Sequence, residues 1–299
     1  MKIQVLSAPG ANDQRAIVQL AAATEEVDEV PPFSEQPLMD LAAARDTQRQ
    51  VIARDADTDE VLGSALIDVV GTSVELATHP QHRRRRVATQ LLAAARAELA
   101  TKQVAVWAHG DLPAARKFAA ATGGSAERTL LCLGRSLSNI DDDLTAPQRN
   151  DLQLTTFVPG DDDADLLRVN AAAFSWHPEQ GRFSQAELDQ RKGAPWFNAK
   201  YLRLARIEGK VMAFVWVKPP IGSEHSAELY VIGVHPDAQG RGIGQYLTRE
   251  ALTLARDSGA RRMILWTEDT NEAALRTYAA TGFSEDLRDV QYRYEPTGS

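Results

Sequence analysis

Val234-His235-Pro236-Asp237-Ala238-Gln239-Gly240-Arg241-Gly242-Ile243-Gly244 decides how this chain folds. Before it, Glu228 to Val234 reads as a strand; after it, Gln245 to Arg256 reads as a helix. Glycines between a strand and a helix let the backbone approach a ligand closely and take up unusual φ/ψ. The N–H groups of such a loop, with the helix N-terminus, form an anion site suited to a pyrophosphate. Arg241 adds a charge-assisted donor. Two other glycine-loop readings fit poorly. No Gly-Lys-Ser/Thr closes a Walker loop, and no first βαβ unit with a ribose-binding acid supports a dinucleotide fingerprint. A plain structural turn remains as the alternative.

The same frame occurs earlier in the chain. Val74-Glu75-Leu76-Ala77-Thr78-His79-Pro80 leads into the run Arg83-Arg84-Arg85-Arg86. The stretch Val87 to Leu99 follows, with Leu91, Leu92, Ala95 and Leu99 at helical spacing. Further on, Ala115-Arg116-Lys117-Phe118-Ala119-Ala120-Ala121-Thr122-Gly123 matches Leu275-Arg276-Thr277-Tyr278-Ala279-Ala280-Thr281-Gly282. Order and spacing point to a duplicated fold. Between the copies, Ser136 to Asp151 is polar and acidic, which suits a solvated linker. The expected organisation is an N-terminal domain over 1–140, a linker over 141–152 and a C-terminal domain over 153–299. In the second half, Tyr201 to Ile207 and Val211 to Val217 flank the turn Glu208-Gly209-Lys210, a hairpin signal. Arg262 to Thr267 reads as a strand and Asn271 to Ala280 as a helix, giving a mixed α/β layer architecture.

Length and composition set the outer limits. The 299 residues make about two domains at roughly 150 each. Hydrophobic residues are 43% and charged residues 25%, ordinary for a globular protein. The longest apolar runs fall far short of the ~20 residues that span a bilayer, so no membrane role is expected. Met1 to Leu6 lacks the apolar core of a secretory signal, and Cys132 is the lone cysteine. Both favour a cytoplasmic setting. A net charge of −8 argues against nucleic acid as the main partner, because phosphate neutralisation needs a basic surface. The arginine run is a local exception, able to meet a small phosphorylated ligand. His79 and His235 precede prolines in turns without a second ligand cluster, so no metal is expected. Cys132, Trp107 and Trp216 read as strand residues of the core.

With its Val-x-Pro lead-in, the glycine loop resembles the acetyl-CoA pyrophosphate loop of the GNAT acetyltransferase superfamily. Asn271-x-x-Ala274-x-x-x-Tyr278-x-x-x-Gly282-Phe283 resembles that superfamily's other hallmark. The implied fold is α/β (mixed α+β): two tandem GNAT-like N-acetyltransferase domains, each a mixed, largely antiparallel sheet flanked by helices. Ser34-Glu35-Gln36, His177-Pro178-Glu179-Gln180-Gly181 and Lys218 before the Glu228 strand narrow the likeness. Together they are similar to the mycothiol synthase family, which acetylates the cysteinyl amine of a glucosaminyl-inositol.

The resemblance implies roles residue by residue. Backbone groups of Ile232, Gly233 and Val234 would meet the thioester of acetyl-CoA. Gln239, Gly240, Arg241, Gly242, Ile243, Gly244 and Gln245 would cradle its pyrophosphate. Asn271, Glu272, Ala273, Ala274, Leu275 and Arg276 would supply the remaining coenzyme contacts. Glu228 is the candidate general base, and even spacing along the strand puts it on one face with Tyr230, Ile232 and Val234. Apolar neighbours would suit a base by raising its pKa; a solvated strand-end carboxylate is the plain alternative. Tyr278 is the candidate general acid to the leaving thiolate, with a packed helix tyrosine as its alternative. Glu35, Glu179, Lys218 and Glu228 are the implied ligands of a small-molecule amine substrate, and Glu35 would put that substrate between the domains. Trp266 stands where the family usually has a substrate-contacting Tyr, and an indole N–H cannot accept.

The first copy departs from the pattern. Thr72 aligns with Glu228 and Phe118 with Tyr278, so it lacks both proton-transfer groups. Its implied coenzyme contacts fall on Leu76, Ala77 and Thr78 and on Arg84, Arg85, Arg86, Val87, Ala88 and Thr89. Arg86 and Ala88 replace two loop glycines, which argues against close backbone approach there. The expected protein is a monomer with a silent first domain. Its expected reaction is direct acetyl transfer from acetyl-CoA to the cysteinyl glucosaminyl-inositol, giving mycothiol and coenzyme A. Two alternatives stay open: acetylation of another amine, such as an aminoglycoside or a protein N-terminus, and a non-catalytic acetyl-CoA-binding module.

Overall fold

The computed structural model describes residues 1–99, 103–138, 149–176, 180–220 and 225–296. The first half runs β1 (Lys2–Leu6), α1 (Ala11–Asp28), α2 (Glu35–Ala42), β2 (Gln48–Arg54), β3 (Val61–Asp68), β4 (Ser73–Thr78), α3 (Val87–Glu98), β5 (Val104–Ala108), α4 (Pro113–Thr122) and β6 (Ser125–Ser136). The second runs β7 (Gln153–Thr156), α5 (Asp163–Ala173), α6 (Gln185–Lys192), β8 (Leu202–Ile207), β9 (Lys210–Lys218), β10 (Ser226–Val234), α7 (Ile243–Asp257), β11 (Arg262–Glu268), α8 (Glu272–Ala280) and β12 (Ser284–Tyr294). The β8–β9 hairpin turns on Glu208 and Gly209, both at positive φ, as a tight two-residue connection demands.

The chain divides into two compact units, Met1–Leu130 with Arg288–Ser299, and Leu131–Leu287. Of the linker expected at 141–152, residues 141–148 lie outside the described residues, and Arg149 to Leu152 fall in the second unit. The first unit's strands follow the order β1-β2-β3-β4-β5-β12, with the segment from Arg288 onward supplying the last. The second unit's order is β7-β8-β9-β10-β11-β6, with Leu131 to Ser136 supplying the last. Pairing is antiparallel along β1, β2, β3 and β4 and along β7, β8, β9 and β10. It is parallel between β4 and β5 and between β10 and β11. The two units thus share one mixed, largely antiparallel topology, and each takes its last strand from the other sequence repeat.

Period-two patterning sends alternate residues to opposite faces of each sheet. In the first unit, Val51 and Ala53 pack with Leu91, Leu92 and Tyr294, whereas Ile52 packs with Ile17, Leu20 and Leu41. In the second, Ala213, Val215 and Val217 pack with Leu247, Leu252 and Met263 beneath α7. Phe214 and Trp216 turn the other way, onto Phe157, Leu166 and Trp196. Burying each of the larger of these side chains (Val, Leu, Ile, Phe, Met) contributes about 1.5–3 kcal/mol. Cys132 is buried, as expected of a strand interior. Trp107 is a correction: it is only half-buried, with the Arg128 guanidinium 5.5 Å from its ring centroid. No described helix is long and apolar enough to cross a membrane.

Candidate active site of the second unit

The parallel register of β10 with β11 runs from Ser226↔Arg262 to Leu229↔Leu265. β10 itself continues to Val234 beside β9. Beyond Leu229, the side of β10 away from β9 carries backbone groups that this ladder does not use. The register with β9 shifts between Leu229 and Val231, which makes Tyr230 the extra residue of a bulge.

The bulge overturns the expected facing of Glu228. Ala227 and Leu229 belong to the core beneath α7, so Glu228 between them points to the opposite face. Tyr230 stays on that opposite face, against Trp196 and Trp216. After the bulge, Ile232 and Val234 pack instead with the α7-side core. One inserted residue thus separates Glu228 from the two apolar side chains that plain alternation would have placed beside it. Gly233 is buried against Phe214, whose ring would lie 2.6 Å from a Cβ at that position.

Two of the other expected substrate residues share the face of Glu228. Lys218 is its register partner on β9, and the Lys218 Nζ lies 5.1 Å from the Trp196 ring centroid. Trp266, next to buried Leu265 on β11, points the same way and is 37% exposed. Glu179 lies outside the described residues. Glu35 opens α2 in the first unit; the preceding Ser34 donates its N–H and its hydroxyl to buried Glu75, at 2.7 and 2.5 Å. Sequence reasoning missed the wall behind Lys218. Trp196, Trp216 and Tyr230 pack at tilted and edge-on angles with 5.1–5.7 Å between centroids, and the Tyr230 hydroxyl accepts from Arg191 Nε at 2.5 Å. Pro195-Trp196-Phe197 was its visible signal.

Tyr278 sits on the α7 side. It is 6% exposed within the core that Ile232 and Val234 cover, and its ring meets Phe283 edge-on at 5.9 Å. Burial pushes its hydroxyl up to about 12, so the phenol keeps its proton at neutral pH. The proposed base and acid therefore come from opposite faces of the sheet, on either side of the place where β10 and β11 part.

The glycine loop has the shape its sequence requires. Gly240 and Gly242 hold φ +73° and +71°, and Gly242 is the N-cap of α7. A Cβ at Gly240 or Gly244 would meet nothing within 4 Å, so the cup is open on those sides. His235 starts the turn by accepting from the Asp237 N–H at 3.3 Å, and the Gln239 amide returns to the Val234 carbonyl at 3.2 Å. Asn271 caps α8 by accepting from the Ala274 N–H, and Arg276 pairs with Glu272 on the exposed face. Among the described residues, no group of three or more His, Cys, Asp or Glu stands ready to hold a metal.

The first unit repeats the loop with other residues. His79 accepts from the Gln81 N–H just as His235 does from Asp237. Arg84 and Arg86 take φ +66° and +62° where the second loop has Gly240 and Gly242. The backbone form of the loop is thus kept with side chains in place of glycines. The arginine run is not a uniform free patch, since Arg83 makes a two-pronged pair with Asp28 at 2.8 and 2.6 Å.

Residues 169–283 match the acetyltransferase (GNAT) family. A mycothiol acetyltransferase of Sanguibacter keddieii is 42% identical over 294 residues, spanning 94% of this chain and 93% of that one. A mycothiol acetyltransferase of Mycobacterium marinum is 36% identical, again over 94% of this chain and 93% of the other. Among solved structures, a tandem GNAT protein from the clavulanic acid biosynthesis pathway superposes with a TM-score of 0.74. Its identity is 19% with both chains covered in full, a likeness of fold alone.

Proposed function

This chain belongs to the mycothiol acetyltransferase family, and on that premise we propose how its residues divide the work of acetyl transfer. The protein is an acyltransferase, and the acetyl donor used by GNAT acetyltransferases is acetyl-CoA. The acceptor is the cysteinyl amine of a glucosaminyl-inositol, and the product is mycothiol. The observation that carries the site assignment is the parting of β10 from β11 after Leu229, with Glu228 one residue earlier.

The chemistry follows from that opening. The amine attacks the thioester carbonyl; a C–N bond forms and the C–S bond breaks. Glu228 takes the proton the amine gives up, directly or through water. Among Ile232, Gly233 and Val234, alternation along the ladder turns the N–H groups of Ile232 and Val234 away from β9. These polarise the carbonyl oxygen, with Gly233 between them leaving room for the thioester. Donors of that kind contribute about 10²–10³ in rate. Tyr278 returns a proton to the departing thiolate. Because thiols have a pKa near ~8.5, acid help is modest. Gln239 to Gln245 hold the pyrophosphate, and Asn271 to Arg276 line the coenzyme's path. Lys218, Trp266 and Glu228 meet the acceptor from the face they share, with Lys218 donating to sugar hydroxyls.

The first unit is assigned no proton transfer. The bulge at Tyr230 has no counterpart in β4. By strand register Ser73, paired with Asp68, therefore stands where Glu228 pairs with Lys218, one residue after the Thr72 that ungapped alignment gives. Phe118 stands at the position of Tyr278. Its loop keeps the left-handed form, so Leu76 to Thr78 and Arg84 to Thr89 remain candidate contacts for a second coenzyme molecule.

The test is to mix the protein with acetyl-CoA and the cysteinyl glucosaminyl-inositol, following free thiol and product mass. One acetyl group added to the acceptor per coenzyme A released is the expected result. Acetylation of an aminoglycoside or a peptide N-terminus, with this acceptor untouched, would remove the substrate assignment. No thiol release with any amine would leave only a binding module.

A further inference from the structure

Arg149 and Asp151 stand outside both motifs that identified the coenzyme site, yet both fasten to the glycine loop. Arg149 Nη1 donates to the Arg241 carbonyl at 2.9 Å and lies 3.9 Å from where a Cβ on Gly242 would sit. Its guanidinium also lies 5.9 Å from the Tyr246 ring centroid on α7. The same guanidinium grips Asp151 through two bonds, of 2.8 Å to Oδ1 and 2.6 Å to Oδ2. Asp151 Oδ2 takes a further bond from Arg241 Nη2 at 3.3 Å.

One carboxylate therefore bridges two guanidiniums at the rim of a backbone cup that favours anions. Carboxylate and phosphate present the same charge sign and the same paired oxygens to an arginine fork. The Arg149 bond is the chief cause holding the Asp151 carboxyl down at about 2, so the bridge is ionised at every working pH. Arg241 and Asp151 are each more than two-fifths exposed, and an ion pair so exposed is weak and opens readily. Arg149 is more deeply set and tied to the loop backbone, so it keeps its place when the carboxylate leaves.

We propose that Arg149 is a coenzyme A phosphate ligand, and that Asp151 is the resting counter-ion that the phosphate displaces from Arg149 and Arg241. This rests on the reading of the glycine loop as the acetyl-CoA site. It adds a cation from the segment before β7 to a cup otherwise built from β10, its loop and α7.

Calorimetry with acetyl-CoA tests it in the full-length protein. Arg149→Ala is expected to weaken binding about tenfold, the effect of losing one charge-assisted contact at a partly exposed site. Asp151→Ala removes the same ion pair but leaves the cation, and should bind acetyl-CoA as tightly as the unsubstituted protein or more tightly. Acetyl-dephospho-CoA identifies the phosphate. An Arg149→Ala loss confined to acetyl-CoA assigns the 3′-phosphate; an equal loss with both ligands assigns the pyrophosphate. Equal weakening by Arg149→Ala and Asp151→Ala would overturn the proposal, since the pair would then serve only to brace the loop. Unchanged affinity in Arg149→Ala would overturn it as well. Absence of binding by the unsubstituted protein is a separate outcome, which overturns the coenzyme site itself.

Discussion

Arg86 and Gly242 hold the same left-handed backbone at the same place in the two repeats. Arg86, at φ +62°, is the N-cap of α3; Gly242, at φ +71°, is the N-cap of α7. A side chain in that region costs about 1–2 kcal/mol that glycine avoids. The first unit retains the cup although its residues disfavour it. At these positions the repeats therefore share the left-handed backbone and differ in the side chains they carry.

That relationship yields two opposite substitutions. Gly242→Val should lower stability by about 1–2 kcal/mol and weaken acetyl-CoA binding at least tenfold. Arg86→Gly should raise stability by about 0.5–1 kcal/mol, because relief of the left-handed penalty outweighs the added freedom of the unfolded chain. Denaturant titration and calorimetry read both effects. Unaltered acetyl-CoA affinity in Gly242→Val would move the pyrophosphate elsewhere.

Glu228→Gln keeps size and shape and removes the proton acceptor. Turnover at neutral pH should fall about 10²-fold or more. Acceptor KM should change far less, because the amide can still hydrogen-bond. Full turnover in this variant would strip Glu228 of its role as base, leaving Lys218 and Trp266 as its companions in binding only.

Tyr278→Phe removes one hydroxyl from a buried ring that keeps its packing on Phe283. Since the thiolate leaves without much help, turnover should fall less than in Glu228→Gln, by about tenfold. With the phenol's pKa at about 12, the turnover of the unsubstituted protein should show no alkaline loss attributable to Tyr278 below pH ~11. A Tyr278→Phe defect as deep as that of Glu228→Gln would mean that protonation of sulfur controls the rate.

Sequence periodicity found those helices and strands whose face or stripe in a core is regular, and left others, such as α1, α5 and β2, unread. Leu91, Leu92 and Ala95 on α3, and Ala213, Val215 and Val217 on β9, are such signals. The glycine loop was legible because positive φ selects glycine. The backbone form of its counterpart was not legible, because Arg84 and Arg86 take the same left-handed conformation without a glycine to signal it. The bulge at Tyr230 was invisible, since alternation of Glu228, Tyr230, Ile232 and Val234 continues unbroken in the sequence. Arg149 and Asp151 hid in a stretch whose polarity suited a linker. That Leu131 to Ser136 and Arg288 to Tyr294 each join the other repeat's unit depends on pairing partners far away in sequence, which local patterns do not encode.

One buried group in the first unit sets a pH dependence of its own. His109 Nδ1 lies 2.6 Å from Asp289, and its Nε2 lies 3.5 Å from Glu75, an ion pair without a formed hydrogen bond. Asp289 also accepts from the Gly110 N–H at 2.8 Å, and Glu75 from Ser34. Burial alone would lower the imidazole's pKa, but the Glu75 charge and the bond to Asp289 outweigh it and push it up to about 10. Burial would likewise raise Glu75, and His109 with Ser34 holds it below its usual value instead. The folded pKa of His109 stands above its unfolded value near ~6.5, so its stabilisation is complete below pH ~6.5 and fades as pH rises toward ~10. Glu75 has the opposite sign: its contribution is complete above pH ~4.5 and is lost in acid. His109→Gln should therefore cost about 3 kcal/mol at pH 6 by leaving two buried carboxylates without their cation. The penalty should shrink by pH 9.5, where the unsubstituted protein has itself lost much of this stabilisation. Denaturant titrations of both proteins at the two pH values decide it. Parallel decline of the two stabilities would show that His109 is neutral when folded.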